Sequence, residues 1–359
     1  MKKLIKLYNK IMVNFKHKDE AIKMEKVLIV SNTALGDLLL STPAIKTLRK
    51  SFPDIYIELL INKNLENLFI SFEYVDKVIT YESNFWGLIK HVRHIKKEAF
   101  DTIFFLHSNG PQDLFIALAS NVRNILKAIN YPSKISASFS KFILNKPDYN
   151  NKHIIEHRLD LVKVFNPKII DKTISLPNSF YENYKKEKKL NIGIQLGAAD
   201  NYKMWPLEKF VTLINRFDDV IKEEYSITFF GLKNEQKLSD FVISKINQRY
   251  VINLCGKTNI DELPYKLKEI DFLVTNDTGT LHLSIALNIP TISLFSPTDS
   301  KIFGPYQDFE KHIVIQKDGD FINDKPKKQR SQDAMNLIEV EEVLECVKLQ
   351  LKRLNKCVA

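Results

Sequence analysis

The stretch Asp271-Phe-Leu-Val-Thr-Asn-Asp277-Thr278-Gly279-Thr280-Leu-His282-Leu283, continuing to Phe295-Ser-Pro297-Thr298-Asp299 and Gly304-Pro305-Tyr306, reads as strand, tight turn, helix, strand. Phe272 to Thr275 is a short apolar run of strand formers, and Asn276-Asp277-Thr278-Gly279 is turn chemistry. His282, Leu283, Ile285, Ala286 and Leu287 then recur at helical spacing, and Pro290-Thr-Ile-Ser-Leu-Phe295 is the next buried strand. A helix that opens directly after a glycine-containing turn presents unpaired N–H groups and the positive end of its dipole. That makes it a site for an anion such as phosphate. The same turn also fits a plainer role, in which Asp277 or Thr278 caps the helix.

Upstream of this turn the alternation continues. Leu190-Asn-Ile-Gly-Ile-Gln195 is a strand, followed by a helix over 207–216, a strand over 226–230, a helix over 235–247, a strand over 251–254 and a helix over 263–268. An earlier series starts at Val27-Leu-Ile-Val30. Gly36-Asp37 ends a loop there, and a helix follows over 38–48, with Pro43 tolerable only near its first turn. Strands over 55–61, 78–80 and 102–106 and a basic helix over 86–97 complete that half. Strand and helix in alternation imply parallel sheets with helices on both faces. Residues 130–180 are less regular, with Pro132, Pro147, Pro167 and Pro177, and the linker falls at 176–188. The expected division is a basic N-terminal segment 1–24, domains 25–176 and 189–335, and a C-terminal amphipathic helix within 336–359, running from Val340 to Leu354.

At 359 residues, with 44% apolar and 27% charged side chains, the chain has material for two globular domains. Three dispersed cysteines, Cys255, Cys346 and Cys357, lack metal-type spacing and suit a reducing cytoplasm rather than a disulfide framework. No apolar run approaches the length of a membrane span. The net charge of +10 favours an anionic partner. Nucleic acid is the weakest of the candidates, because no nucleic-acid-binding signature is present. Within residues 1–26, eight lysines accompany Leu4, Tyr8, Ile11 and Phe15 at helical spacing. That pattern fits either a basic amphipathic helix on an anionic membrane surface or an extra helix packed on the first domain.

Three motifs in order carry a resemblance. They are Leu35-Gly36-Asp37 before Thr42-Pro43-Ala44, Gly197-Ala-Ala-Asp200 before Lys203-Met-Trp205-Pro206, and the Asp277-Thr-Gly-x-x-His-Leu turn before Ser-Pro-Thr-Asp and Gly-Pro-Tyr. Together they resemble glycosyltransferase family 9, the heptosyltransferases and their relatives, over nearly everything from Lys26 to about Leu351. The resemblance implies an α/β fold of GT-B type, two Rossmann-like domains facing across a cleft. It implies an inverting, metal-independent transferase with Asp37 as general base and Lys203 beside the donor diphosphate. Glu235, in Gly231-Leu-Lys-Asn-Glu235, matches an acidic residue linked to ribose hydroxyls. Asp277, Thr278, Gly279, Thr280 and His282 match the donor-binding turn, and His282 also fits a core histidine. Gly36, Thr42 and His107 are acceptor-side candidates. Leu196 departs from the family's usual proline.

The expected donor is ADP-heptose or a related nucleotide sugar, with no cofactor. The expected acceptor is a lipid-linked glycan of the lipopolysaccharide or lipooligosaccharide core. The enzyme is expected in the cytoplasm, peripheral on the inner leaflet of the cytoplasmic membrane, without nucleic acid. The stretch from Asp101 to Pro111 departs from the basic-rich pattern that suits an acidic acceptor sugar, so another sugar nucleotide or glycan stays open. A non-catalytic sugar-nucleotide-binding protein and an epimerase of the same architecture are the readings from other classes. Cys255-Gly-Lys-Thr258 lacks the first glycine of a P-loop. Asp318-Gly-Asp320, superficially a metal motif, is read as a turn.

Overall fold

The computed structural model describes residues 24–108, 116–117, 119–127, 152–182, 189–248, 250–296, 298–317 and 331–356. The basic segment, apart from Met24, and Asp318-Gly-Asp320 lie outside the described residues. Internal contacts divide the described chain into two compact units: 24–127 with 155–172, and 152–154 with 173–356.

The first unit holds β1 (Lys26–Ser31), α1 (Leu35–Ser51), β2 (Tyr56–Asn62), β3 (Lys77–Tyr81), α2 (Phe85–Glu98), β4 (Thr102–His107), β5 (Asn124–Lys127) and nearly all of α3 (Ile154–Lys163). Its five strands are ordered β3-β2-β1-β4-β5, with every pairing parallel. Strands covered on both faces read as continuous apolar runs, and Val27 to Val30 and Ile103 to Leu106 are buried throughout. One apolar cluster joins Leu28, Val30, Leu60, Ile95, Phe105 and Ile125. The β1–β4 register shifts between Val30 and Ser31, so that Ser31 pairs with His107. The irregularity falls where the two strands leave the sheet.

The first helix corrects two expectations. Leu35, Gly36 and Asp37 form its first turn rather than the end of a loop, and it runs through Pro43 to Ser51. Proline removes the N–H that would bond the carbonyl of Leu39. The Thr42 hydroxyl donates to that carbonyl instead, at 2.7 Å, so the break is repaired locally.

The second unit holds β6 (Leu190–Gln195), α4 (Leu207–Asn215), β7 (Tyr225–Phe230), α5 (Gln236–Ile243), β8 (Val251–Asn253), α6 (Leu263–Lys268), β9 (Phe272–Asn276), α7 (Gly279–Ala286), β10 (Thr291–Phe295), β11 (His312–Gln316) and α8 (Val340–Arg353). Its sheet, again all parallel, is ordered β11-β10-β9-β6-β7-β8. Sequence periodicity missed β5, α3 and β11. It also started α5 at Glu235, which here closes a 3-10 turn, Lys233–Glu235, and extended it past Ile243 over irregular chain. The C-terminal helix is no appendage: Val343, Leu344, Val347 and Leu351 belong to the second core, with Ile194, Phe210, Phe229 and Val274.

Both sheets reverse their winding direction once, between β1 and β4 and between β6 and β9. Loops on either side of such a reversal diverge, leaving a crevice beyond the carboxyl ends of the strands where ligands bind. Among the described residues no helix is long and apolar enough to cross a membrane.

Candidate active site

At the β1/β4 reversal four side chains converge. Asp37 sits in the first turn of α1, where the helix dipole favours a carboxylate. Thr33 Oγ1 donates to Asp37 Oδ2 at 3.1 Å and lies 2.6 Å from His107 Nδ1 at the end of β4. His107 Nε2 is 3.4 Å from Asp37 Oδ1. Arg158, from α3 and only 2% exposed, donates to the Asp37 carbonyl at 2.6 Å and places its other terminal nitrogen 3.5 Å from Oδ1. Burial, reinforced by the Arg158 charge and opposed by Asp37, pushes His107 down to about 4. The ring is therefore neutral at physiological pH. The neutral ring has two arrangements here: Nδ1–H donating to Thr33 Oγ1, or Nδ1 accepting from Thr33 with Nε2–H turned toward Asp37 Oδ1. Either arrangement keeps His107 Nε2 next to Asp37 Oδ1. Lys127, at the end of β5, bonds Ser108 at 2.6 Å beside them.

At the β6/β9 reversal the second constellation forms. Lys203 Nζ lies 2.7 Å from Asp277 Oδ2. Burial works against the ammonium, but the Asp277 carboxylate outweighs it and holds Lys203 above the ordinary lysine range. The pair is fixed from both sides: the Trp205 N–H donates to Asn276 Oδ1 at 3.0 Å, and Asn276 Nδ2 donates to the Leu196 carbonyl at 2.8 Å. The indole of Trp205, fully buried, donates to the Ile338 carbonyl at 3.0 Å. Thr278 caps α7, accepting from the Leu281 N–H at 3.3 Å, and also lies 3.2 Å from Thr275 Oγ1. The capping role left open by the sequence thus belongs to Thr278, while Asp277 serves Lys203.

A polar chain runs on from α7. Thr280 donates to Gln195 Oε1 and Gln195 Nε2 donates to Glu235 Oε2, each at 3.2 Å, and Glu235 also accepts from the Leu232 N–H at 2.7 Å. Burial pushes the Glu235 carboxyl up, against those two donors. A methyl group on Gly197 would overlap the Glu235 carboxylate, so this backbone must be glycine for the acid to sit there.

The structure therefore brings Asp37 to His107, Lys203 to Asp277, and Glu235 to Thr280 through Gln195. Gly36 and Thr42 are both buried in α1, and the Thr42 hydroxyl donates to the Leu39 carbonyl. His282 is buried one turn into α7. Sequence reasoning missed Thr33, Lys127, Arg158 and Gln195. Thr33 and Gln195 lie within or beside the motifs and were findable as strand-end polar residues. Arg158 lies 121 residues from Asp37 and left no local signal. Among the described residues no three His, Cys, Asp or Glu side chains gather as for a metal.

Residues 136–333, more than half of the chain, match the family model described as glycosyltransferase family 9 (heptosyltransferase). The chain is a family 9 glycosyltransferase. The matched residues include Lys203, Glu235 and Asp277–His282, while Leu35-Gly-Asp37 precedes them. This family 9 enzyme is 26% identical over 300 residues to lipooligosaccharide heptosyltransferase 2 of Campylobacter jejuni, covering 80% of this chain and 86% of that one. In three dimensions it resembles a family 9 transferase from Veillonella parvula, with a TM-score of 0.77 at 20% identity over 93% of this chain and all of the other. It also resembles the E. coli ADP-heptose lps heptosyltransferase II, with a TM-score of 0.72 at 18% identity over 91% and 99%. The fold is that of the GT-B class, two parallel-sheet α/β units.

Proposed function

We propose that this glycosyltransferase moves a heptosyl group from ADP-heptose to a sugar hydroxyl of a lipopolysaccharide or lipooligosaccharide core, with inversion and without a metal. The observation that carries the reading is Lys203, held 2.7 Å from Asp277 at the turn that opens α7. An ammonium beside a helix amino terminus is a site for a diphosphate, and a partly buried cation offsets charge as it builds on a leaving phosphate. The names of the Campylobacter and E. coli relatives supply the sugar and the acceptor class.

In this reading the second unit binds the donor. Lys203 and the α7 N–H groups hold the diphosphate, and Glu235 accepts hydrogen bonds from ribose hydroxyls. The first unit serves the acceptor. Its hydroxyl oxygen attacks the anomeric carbon, the bond from that carbon to the phosphate oxygen breaks with its electron pair leaving on the diphosphate, and Asp37 takes the hydroxyl proton. The transition state has oxocarbenium character. Diphosphate binding accelerates the step only insofar as it tightens while the bond breaks. Residues 1–24 hold the enzyme near its lipid-linked acceptor, on the cytoplasmic side.

The test incubates the protein with ADP-heptose and a truncated core oligosaccharide in EDTA, with mass spectrometry of both substrates. Acceptor gaining one heptose mass supports the reading. Free heptose or an isomerised donor without acceptor product points to an epimerase, and no change in either points to a binding protein.

A further inference from the structure

The first unit carries a surface that the transfer chemistry does not use. Helix α2 leaves the edge strand β3 through Asn84, whose side chain caps the Gly87 N–H at 2.8 Å. Its inner face is fixed to the sheet. His91 accepts from the Glu82 N–H at 3.0 Å and stacks on Tyr81, and Ile95 enters the apolar cluster. The outer face begins with Phe85 and Trp86, 69% and 75% exposed and packed edge to face on each other. Below Trp86, at one-turn spacing, follow Lys90, Arg93 and Lys97, all exposed, with Lys96 beside them. Two acidic residues border these four cations: Glu82 is paired with Lys90 at 2.6 Å, and Glu98 with Lys26 at 2.7 Å.

Two adjacent aromatic rings left in water at the head of a cationic stripe are costly unless something covers them. The combination matches a bilayer surface. Indole and phenyl rings settle at the headgroup level, and lysine and arginine are drawn to anionic lipids. The placement adds to this. All strands of the sheet are parallel, so the β3 exit bearing Phe85 and Trp86 lies on the same edge as the Asp37 loop, two strands away.

We propose that the Phe85–Trp86 pair and the Lys90–Arg93–Lys97 stripe form a docking rim for an anionic membrane surface. The rim presents the acceptor half-site to sugars carried on that surface. Only this last clause rests on the lipid-linked acceptor proposed above.

The chain has two tryptophans, and Trp205 is fully buried, so a change in indole emission on adding vesicles reports Trp86. Full-length protein is titrated with vesicles of phosphatidylethanolamine and phosphatidylglycerol, with phosphatidylcholine vesicles as control. The expected result is a blue-shifted emission with the anionic vesicles alone. Co-sedimentation should fall at least ~10-fold in the Arg93→Glu/Lys97→Glu variant, and also in Phe85→Ser/Trp86→Ser, as loss of two cationic or two interfacial anchors predicts. Unshifted emission, or wild-type sedimentation by both variants, overturns the rim and leaves any binding to residues 1–24. Phosphorylated oligosaccharide that displaces the protein from vesicles and shifts Trp86 by itself overturns it in favour of a glycan site. Transfer to a delipidated acceptor is measured in parallel and should be equal in wild type and both variants. Failure of wild type in that assay refutes the transferase reading without touching the vesicle result.

Discussion

Asp277 cannot bind a phosphate directly, because two anions at contact distance repel. Its place against Lys203 makes it the residue that orients the ammonium. Lys203→Ala should weaken ADP binding by ~1–3 kcal/mol, the loss of a charge-assisted hydrogen bond. It also leaves Asp277 as an unpaired, nearly buried carboxylate facing the ligand. Lys203→Ala/Asp277→Asn should therefore bind ADP more tightly than the single variant. Isothermal titration in EDTA decides this: unchanged affinity in Lys203→Ala, or binding that needs added Mg²⁺, removes the pair from donor binding and makes Asp318-Gly-Asp320 the next residues to examine. In the first unit, Asp37→Asn should cut turnover at least ~100-fold with little change in ADP affinity, as for loss of a general base. Arg158→Lys, which cannot bridge the Asp37 carbonyl and carboxylate as a guanidinium does, should lower turnover with ADP affinity unchanged. Asp37, Lys203 and Asp277 were legible because each sits in a short motif at a strand exit. Arg158 was not, because only tertiary packing of α3 brings it to Asp37.

Among the elements, α1 shows how a local rule is overridden. Proline is ordinarily confined to an early helix position, yet the helix holds Pro43 in the middle because Thr42 supplies the missing donor. Thr42→Val keeps the shape and removes that donor, leaving a buried carbonyl unsatisfied, and should cost about 1–3 kcal/mol in urea unfolding. Equal stability of variant and wild type would mean that water or a backbone adjustment serves the carbonyl. The strand–helix alternation was readable because buried parallel strands are apolar runs framed by turn residues. The missed β5, Asn124–Lys127, is only four residues long, and β11 mixes buried and exposed positions without clean alternation. The β6–α4 connection is stricter. Gly197→Ala should displace Glu235 and weaken adenosine-containing ligands more than inorganic pyrophosphate, measurable by competition titration. An equal loss for both would place Glu235 away from the nucleoside.

For the molecule as a whole, histidines held below their ordinary pKa by burial link stability to acidity. His312, the first residue of β11 and paired with Thr291 of β10, its Nδ1 3.0 Å from the Thr291 hydroxyl, is pushed by burial from 6.5 to about 4, with Asp308 opposing and Lys311 assisting. His107 is lowered likewise. A histidine whose folded pKa lies below its unfolded value stabilises the fold fully above about 6.5, and that contribution disappears as pH falls through about 4. For His312 the loss is roughly 3 kcal/mol at the acid end. Urea midpoints should therefore fall steadily between those pH values, and His312→Asn should flatten the decline. An identical pH slope in that variant would show that His312 takes no part.

The division of the chain has a consequence for dissection. Residues 152–154 pack with the second unit, although the next eighteen residues belong to the first. His153 lies with its ring 4.1 Å from that of Tyr306, and its Nε2 is 3.0 Å from the Gly304 carbonyl. A fragment started at Thr173, however natural the cut looks in one dimension, would leave Tyr306 without its stacking partner. Autonomous expression of the second unit therefore calls for a spliced gene, with a short tether carrying His153 ahead of Thr173, rather than a simple truncation.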